Sequence, residues 1–439
     1  MLNGLFVFVA LASVLLAAIS GQMPALTDAI LTSARNAVDL AIGLVGVMAF
    51  FLGLMKVAED GGLMASVSRA VSPVMRLLFP SIPAGSPAMS AMLMNISANM
   101  LGLGNAATPF GIKAIEELNK YNSRTGTATN AMVLFLAINT AGLAILPSGM
   151  IGLRASLGSA DASGIFFPTW FASASATVVG VTMALLLSRL PRYRATEPAP
   201  LAQANEEAPV DGDSNFPVHR TPDPQPEIHV IPVRRWLGWA FWLGFSLLAA
   251  RDVATTLGTQ SAGEVPRELA SSWMLPALVA MLVLYGWVRG VRVYESLVEG
   301  AKQGFQVAIR IIPSLVTILV AVGMFRASGG IDILAWFIAP VTSFIGMPAE
   351  ALPMALLRPL TGQGAFGVAA EAMTAHGPDS LIGYMVSTYQ GSTETTFYTL
   401  AVYFGAVGVK ESRHTLPACL AADVAGILAA TFIVNLMFG

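Results

Sequence analysis

The sequence has little charge, because Asp, Glu, Lys and Arg make up only 11% of its 439 residues. A soluble globular protein carries about 25% charged residues. Thirteen of the 50 charged residues lie between Arg189 and Arg235, which leaves 37 for the rest of the chain. Such a chain cannot cover a soluble surface with polar groups. An ordinary soluble enzyme, a nucleic-acid binder and a disordered protein are therefore excluded, and a polytopic all-α membrane protein remains.

Cysteine and catalytic motifs are equally scarce. Cys419 is the one cysteine, which excludes an internal disulfide framework and a multi-cysteine metal site. The four histidines fall in a polar segment and in polar loops, so we expect no metal cluster. A Ser-His-Asp arrangement, a P-loop and an HExxH motif are all absent, so we expect neither an enzyme nor a cofactor. Any transport must then be ion-coupled, passive or driven by a partner.

Eight apolar windows are long enough to cross about 30 Å of hydrocarbon. They cover residues 5–19, 37–55, 131–147, 167–187, 236–250, 273–287, 309–324 and 416–438. The first window could also be a cleaved signal peptide. Residues 1–4 carry no Lys or Arg, however, and this favours a membrane span.

Two further apolar stretches, residues 86–121 and 350–376, are broken by Gly, Pro and polar residues. Each predicts two short helices that meet at a turn, which is stable at membrane depth only when buried in protein or lining a wet cavity. We expect re-entrant hairpins, with a kinked spanning helix as the alternative. With hairpins, most Lys and Arg fall on one side, which the positive-inside rule assigns to the cytoplasm together with the N-terminus. The opposite side keeps Arg35, Arg154, Arg251, Arg267 and Arg326.

Residues 191–232 are rich in Pro and acidic residues and predict a flexible, hydrated cytoplasmic linker. They divide the chain into halves at 1–190 and 233–439. Gly61-Gly62, Pro73-Val74 and Pro83-Ala84 recur in the same order as Gly329-Gly330, Pro340-Val341 and Pro348-Ala349. If the broken stretches are hairpins, five predicted membrane crossings separate the starts of the two copies. Because this number is odd, the second copy has the opposite orientation in the membrane to the first. Inverted repeats with broken helices are typical of secondary transporters.

Polar side chains gather in the two broken stretches and in the span that follows each. Their amides both donate and accept, and the interrupted helices present partial charges. We predict that they form a binding site for a small polar solute, although the amides could instead only satisfy the broken backbone. The candidates are Asn95, Asn99, Asn105, Thr108, Asn139, Thr140, Arg358, Thr361, Gln363, Gln390, Thr393 and Glu394.

Three acidic residues lie within predicted spans. Glu394 is costly there unless it is paired or functional, and Arg358 is its natural partner. Two roles stay open for Glu394, namely binding of a ligand or ion and a purely structural ion pair. Asp39 and Asp423 are candidates for carrying protons, although Asp39 lies near a span end where water can solvate it.

The chain resembles a known family in both halves. The first half resembles spore maturation protein A in Gly53-Leu-Met-Lys-Val-Ala-Glu59, in Asn99-Met-Leu-Gly-Leu-Gly-Asn105-Ala-Ala-Thr-Pro109 and in Asn139-Thr140. The second resembles spore maturation protein B in residues 312–330, in Leu357-Arg-Pro-Leu-Thr-Gly-Gln363 and in Tyr389-Gln-Gly-Ser-Thr-Glu-Thr395. The resemblance implies an A–B fusion with a nucleoside recognition, or gate, domain. That domain is shared with concentrative nucleoside transporters and with the membrane part of ferrous-iron uptake proteins.

Two functions follow from this reading. The first is a bacterial inner-membrane transporter or channel for a small polar or charged solute, with sodium or a proton as the open choice of coupling ion. The second is a non-transporting membrane scaffold or regulator that recruits a partner through the linker. We expect the lipid bilayer and the solute as partners and no nucleic acid, and a homo-oligomer stays open.

Overall fold

The structure, a computed structural model, describes residues 2–102, 104–144, 147–199, 201, 232–257, 265–330, 333, 336, 340, 342 and 344–439. These residues form helices and no β-strand beyond an isolated bridge between Thr127 and Glu411. The helices of the first half are α1 Leu2–Ser20, α2 Met23–Asp60, α3 Leu63–Leu78, α4 Pro87–Met100, α5 Gly104–Asn119, α6 Asn130–Ala141, α7 Ser148–Ser156, α8 Phe166–Ser188 and α9 Pro191–Arg194.

The remaining helices follow the segment 202–231, so most of the predicted linker lies outside the described residues. They are α10 Pro232–Leu257, α11 Val265–Val288, α12 Val293–Ala327, α13 Leu352–Leu357, α14 Gly362–His376, α15 Leu381–Ser392, α16 Thr396–Ala406 and α17 Thr415–Phe438, with a 3₁₀ turn at Ala349–Ala351. The first residues of the predicted linker are attached to the helical body, because Glu197 pairs with Arg413.

Hydroxyl caps and breaks determine where the short helices begin and end. Ser86, Thr129, Thr361 and Ser380 each precede a helix and accept a hydrogen bond from a backbone N–H of its first turn. Helix α6 ends where Gly142 adopts a left-handed conformation with φ 55°. The helix of the predicted span 131–147 therefore stops at Ala141, and the next helix, α7, begins at Ser148, just after the span.

The stretch 86–121 folds back on itself. Helices α4 and α5 lie on either side of a turn at Leu101 and Gly102, and the Asn95 side chain donates 2.7 Å to the carbonyl of Ala107. Since these residues lie on opposite arms of the turn, the stretch is a helical hairpin. The stretch 350–376 is likewise divided, with a break at residues 358–361 between α13 and α14.

Helices α8 and α17 run antiparallel and define two ends of the molecule. The rings of His414 and Tyr193 lie 5.1 Å apart at one end, called here the linker end. At the other end, called here the distal end, Phe438 stacks on Tyr384 at 3.8 Å, and Tyr384 bonds Asp161 just before α8. A helix of 23 or 24 residues is about 35 Å long, so the ends are one bilayer apart.

Apolar surface covers the outside of this bundle. Helices α2, α8 and α17 are each long and apolar enough to cross a membrane. Shorter apolar stretches lie at Phe6–Ser20, Asn130–Ala141, Leu275–Val288 and Leu315–Ala327. Large apolar side chains, such as Phe8, Leu243 and Phe432, are exposed on the outer helices. The protein is a multi-pass helical membrane protein, in which hydrocarbon covers these side chains.

Candidate functional site

Helices α6 and α15 enter from opposite ends and meet inside the bundle. Helix α6 begins at the linker end, where Arg413 bonds the Asn130 side chain at 2.9 Å. Helix α15 begins at the distal end, where Arg154 bonds Asp379 at 2.9 Å. Each helix has 12 residues and is about 18 Å long. Their carboxyl ends therefore meet near the middle of the 35 Å separation.

The meeting point is a direct backbone contact. The N–H of Glu394 donates 2.7 Å to the carbonyl of Thr140, which pairs one helix end with the other. A Cβ added at Gly142 would lie 3.0 Å from Cγ of Glu394. Both helices therefore have to end at this point, because a longer α6 or α15 would occupy the space of the other helix. We call this point and the side chains around it the polar centre.

Arg358 is the main organiser of the second half of the polar centre. Its guanidinium is buried, with 3% exposure, and donates to the carbonyl of Thr393 and to Oγ1 of Thr395 at 3.4 Å. Its Nη2 also lies 3.8 Å from a carboxylate oxygen of Glu394, so the predicted pair is confirmed. The Glu394 side chain is 54% exposed, in contrast to the buried guanidinium that it faces.

An amide network forms the first half of the polar centre. Asn99 donates 3.0 Å to the side-chain oxygen of Asn139, and the side-chain nitrogen of Asn139 donates 2.9 Å to the carbonyl of Phe135. Tyr403 of α16 lies between the buried amides, with its hydroxyl 3.3 Å from Asn95 and 3.5 Å from Asn139. These bonds link α4 of the hairpin to the end of α6.

The two halves contribute equivalent side chains at the helix ends. Asn139 is the tenth residue of α6 and bonds the first hairpin, whereas Gln390 is the tenth residue of α15 and donates 3.3 Å to the carbonyl of Gly362 in the second. Each amide therefore ties a broken helix to the hairpin of its own half.

A second buried acid lies beside the polar centre. Asp423 of α17 is 1% exposed and accepts 2.6 Å from the hydroxyl of Thr396. Three residues further along, a Cβ added at Gly426 would lie 2.7 Å from the methyl group of Thr393. Since both residues are near the midpoint of α17, this position agrees with the mid-depth meeting of α6 and α15.

Several buried polar atoms of the centre have no protein partner among the described residues. Buried polar atoms are normally hydrogen-bonded, so an accumulation of exceptions indicates a place where another molecule supplies the bonds. The atoms are Asn95 Oδ1, Thr140 Oγ1, Arg358 Nε, Gln390 Oε1, Thr393 Oγ1 and Asp423 Oδ1.

The remaining predicted residues lie at the hairpin tips. Thr361 caps α14 through a 3.1 Å bond to the N–H of Gly364, and Gln363 is exposed in the first turn of that helix. Thr108 is partly buried in α5. Asn105 also belongs to α5, and its side chain lies outside the described part of the structure. Tyr403 was absent from the predicted site, since an aromatic residue in an apolar helix gives no signal of a polar contact.

Two buried arginines clamp the ends of the bundle. Arg154, after the middle of α7, is fully buried and bonds the carbonyls of Pro378 at 2.6 Å and Asp161 at 3.0 Å, besides Asp379. Arg413, after α16, bonds the carbonyl of Ala128 at 3.1 Å. Each arginine thus comes from one half and holds the segment that precedes the broken helix of the other half.

The chain matches a model of the nucleoside recognition (Gate) family over residues 41–157 and 308–410. It is 47% identical over 166 residues to spore maturation protein B of Bacillus subtilis, covering 38% of this chain and 93% of that one. It is 37% identical over 194 residues to spore maturation protein A of the same organism, covering 44% and 97%.

Two more distant similarities were found. The inner membrane protein YjiG of Escherichia coli is 31% identical over 84 residues, which is 19% of this chain and 55% of that one. The solved structure of MtrF from Neisseria gonorrhoeae, of a class of antimetabolite efflux pumps, aligns with a TM-score of 0.45 and 16% identity over 92% of this chain and 83% of that one. By its family-model match and its two Bacillus relatives, the chain belongs to the nucleoside recognition family of membrane proteins that includes spore maturation proteins A and B.

Proposed function

We propose that this protein is a transporter or channel for a small polar or charged solute, which binds at the polar centre. The observation that carries the proposal is the meeting of α6 and α15 at mid-depth, beside a buried Arg358 and a half-exposed Glu394. Broken helices that expose polar groups at the midplane are the usual substrate sites of secondary transporters. The family's nucleoside label does not by itself identify the solute.

The proposal includes two inverted repeats joined as an A–B fusion. Equivalent helices pack against each other, as α2 does with α12 and α8 with α17, and the arginine clamps are reciprocal. Reciprocal contacts are expected of halves related by a two-fold axis. The basic residues of the linker end, including Arg124, Arg192 and Lys410, favour a cytoplasmic position for that end and for the N-terminus.

The polar centre favours transport over the scaffold function. A scaffold needs no polar groups at mid-depth, where each one is costly unless it serves a purpose. The buried side-chain oxygens of Gln390 and Thr393 have no hydrogen-bond partner among the described residues, whereas a closed interface normally satisfies such atoms. We propose no enzyme activity, because the acidic groups of the centre serve an ion pair and a hydroxyl bond.

Flux measurements in proteoliposomes test the proposal. Solutes are first selected by their stabilisation of the purified chain against heat, since a ligand that binds the folded state raises its stability. Uptake and counterflow of the stabilising solutes are then compared for the wild type and Glu394→Gln. We expect flux in the wild type and a loss of at least about tenfold in the variant, equivalent to one lost interaction of 1.4 kcal/mol.

Glu299→Gln is the matched control, since Glu299 is 56% exposed and pairs with Lys302 on α12 away from the polar centre. It should transport like the wild type. A second variant lacks residues 210–225 of the linker. Loss of cellular function in this deletion, together with no flux of any solute by the wild type, would contradict transport and support the scaffold.

A further inference from the structure

A second carboxylate, that of Asp423, lies beside the polar centre and is far more deeply buried than that of Glu394. Asp423 is buried at the middle of α17, and its Oδ2 accepts one hydrogen bond from Thr396, whereas its Oδ1 has no partner among the described residues. Glu394, in contrast, is half exposed. The two acids therefore have different access to a solute, although both belong to the same cluster.

The charges that face Asp423 do not balance. Arg358 is the cation within electrostatic range of both Asp423 and Glu394. The surrounding helices α6 and α8 contain no charged residue, and α17 contains none besides Asp423. Cys419 is a titratable side chain one helical turn earlier on α17, and Tyr389 and Tyr403 belong to α15 and α16, which pack against α17. Among the described residues the salt bridge of Arg358 is with the half-exposed Glu394, so Asp423 is left as a buried negative charge, which is costly unless a cation joins it.

Resting on the proposed function, we propose that Asp423 is the proton-binding residue of this protein and that the coupling ion is a proton. One proton added to Asp423 neutralises the excess charge and requires no further ligands. A metal cation would need several oxygen ligands and would lie close to the positive charge of Arg358. The Asp423 carboxylate accepts one hydrogen bond, from the hydroxyl of Thr396, and Cys419 lies one helical turn earlier. These surroundings suit a proton better than a metal cation.

Arg358 connects this proton to the solute site. When Asp423 is charged, the guanidinium is shared between Asp423 and Glu394. When Asp423 takes up a proton, Arg358 interacts with Glu394 alone, which changes the charge that the solute meets. Proton binding and solute binding are then linked through one buried side chain, and linkage of this kind is reciprocal.

Infrared titration of the full chain in nanodiscs tests the proton site without any solute. The wild type should show the C=O stretch of a protonated buried carboxyl, Asp423→Asn should lack that band, and Glu394→Gln should keep it. Thr396→Val removes the hydroxyl that bonds the carboxyl, and it should shift the frequency of the band. A band that is unchanged in both Asp423→Asn and Thr396→Val would overturn the assignment.

Flux measurements test the coupling separately. Asp423→Asn should lose at least about tenfold of the accumulation driven by a pH gradient, and it should lose less of the counterflow of a stabilising solute, which needs no net proton movement. Accumulation of the solute driven by a sodium gradient, with equal pH on both sides, would overturn the proposal that the coupling ion is a proton. If no solute is transported by any variant, the proposed function fails, whereas the infrared result still decides whether Asp423 binds a proton.

Discussion

Arg154 should be among the most sensitive residues of the protein. It is fully buried, bonds the carboxylate of Asp379 and two carbonyls, and lies 4.2 Å from the centre of the Tyr384 ring. Arg154→Met keeps the apolar stem and removes every one of these donors. Removing one partner of a buried ion pair costs about 3–5 kcal/mol, because the other groups stay buried without donors. Asp379 is 37% exposed and can recover some water, so we expect the lower part of that range.

The effect should be measured as the thermal unfolding midpoint in detergent, determined from the fraction of protein that stays monodisperse after heating. We expect a fall of roughly 5–10 °C for Arg154→Met. Lys302→Met is the control, because its pair with Glu299 is exposed and worth about 0–1 kcal/mol. A double-mutant cycle with Asp379→Asn should give a coupling of about 1 kcal/mol or more. Additive effects, or an unchanged midpoint in Arg154→Met, would show that the clamp does not hold the distal end.

Two other predictions concern stability against pH and the packing of the polar centre. Burial and the neighbouring Arg413 lower the pKa of His414 from 6.5 to about 4, so the unfolded chain takes up a proton that the folded chain cannot. Stability should therefore fall as the pH drops from about 6.5 towards 4, and His414→Phe should lose that part of the fall in thermal unfolding scans. Gly426→Ala should displace Thr393 and reduce solute flux, whereas Gly405→Ala, with no atom within 4 Å of an added Cβ, should transport normally.

Much of the polar centre could be predicted because breaks in membrane helices have few explanations. Thr129 and Ser380 cap the starts of α6 and α15, and Gly142 ends α6. These are local sequence signals, so the sequence indicates both short helices directly. The Arg358–Glu394 pair was predictable as well, since an isolated charge at membrane depth needs a partner. These features depend on residue type and on position along the chain.

Other contacts depend on tertiary packing and leave no local pattern. Tyr403 reaches Asn95 and Asn139 only because α16 packs beside the first hairpin. Arg154 appeared in the sequence as one of the few basic residues on the sparsely charged side, yet it is the anchor of the distal end. Its partners Pro378 and Asp379 lie more than 200 residues away, so periodicity and composition carry no information about them.

The charge of the polar centre is contributed by one half alone. Arg358, Glu394 and Asp423 all follow the linker, whereas residues 77–112 and 125–153, which include the tip of the first hairpin and all of α6, contain no charged residue. The amides at the helix ends are equivalent in the two halves, so the scaffold of the site is shared, but its ionic chemistry is not. In the proposed transport, a solute at this centre would meet neutral amides on one side and a titratable ionic cluster on the other. A change of protonation would then alter binding on the ionic side alone, and this asymmetry gives Asp423 and Arg358 their place in the proposed coupling.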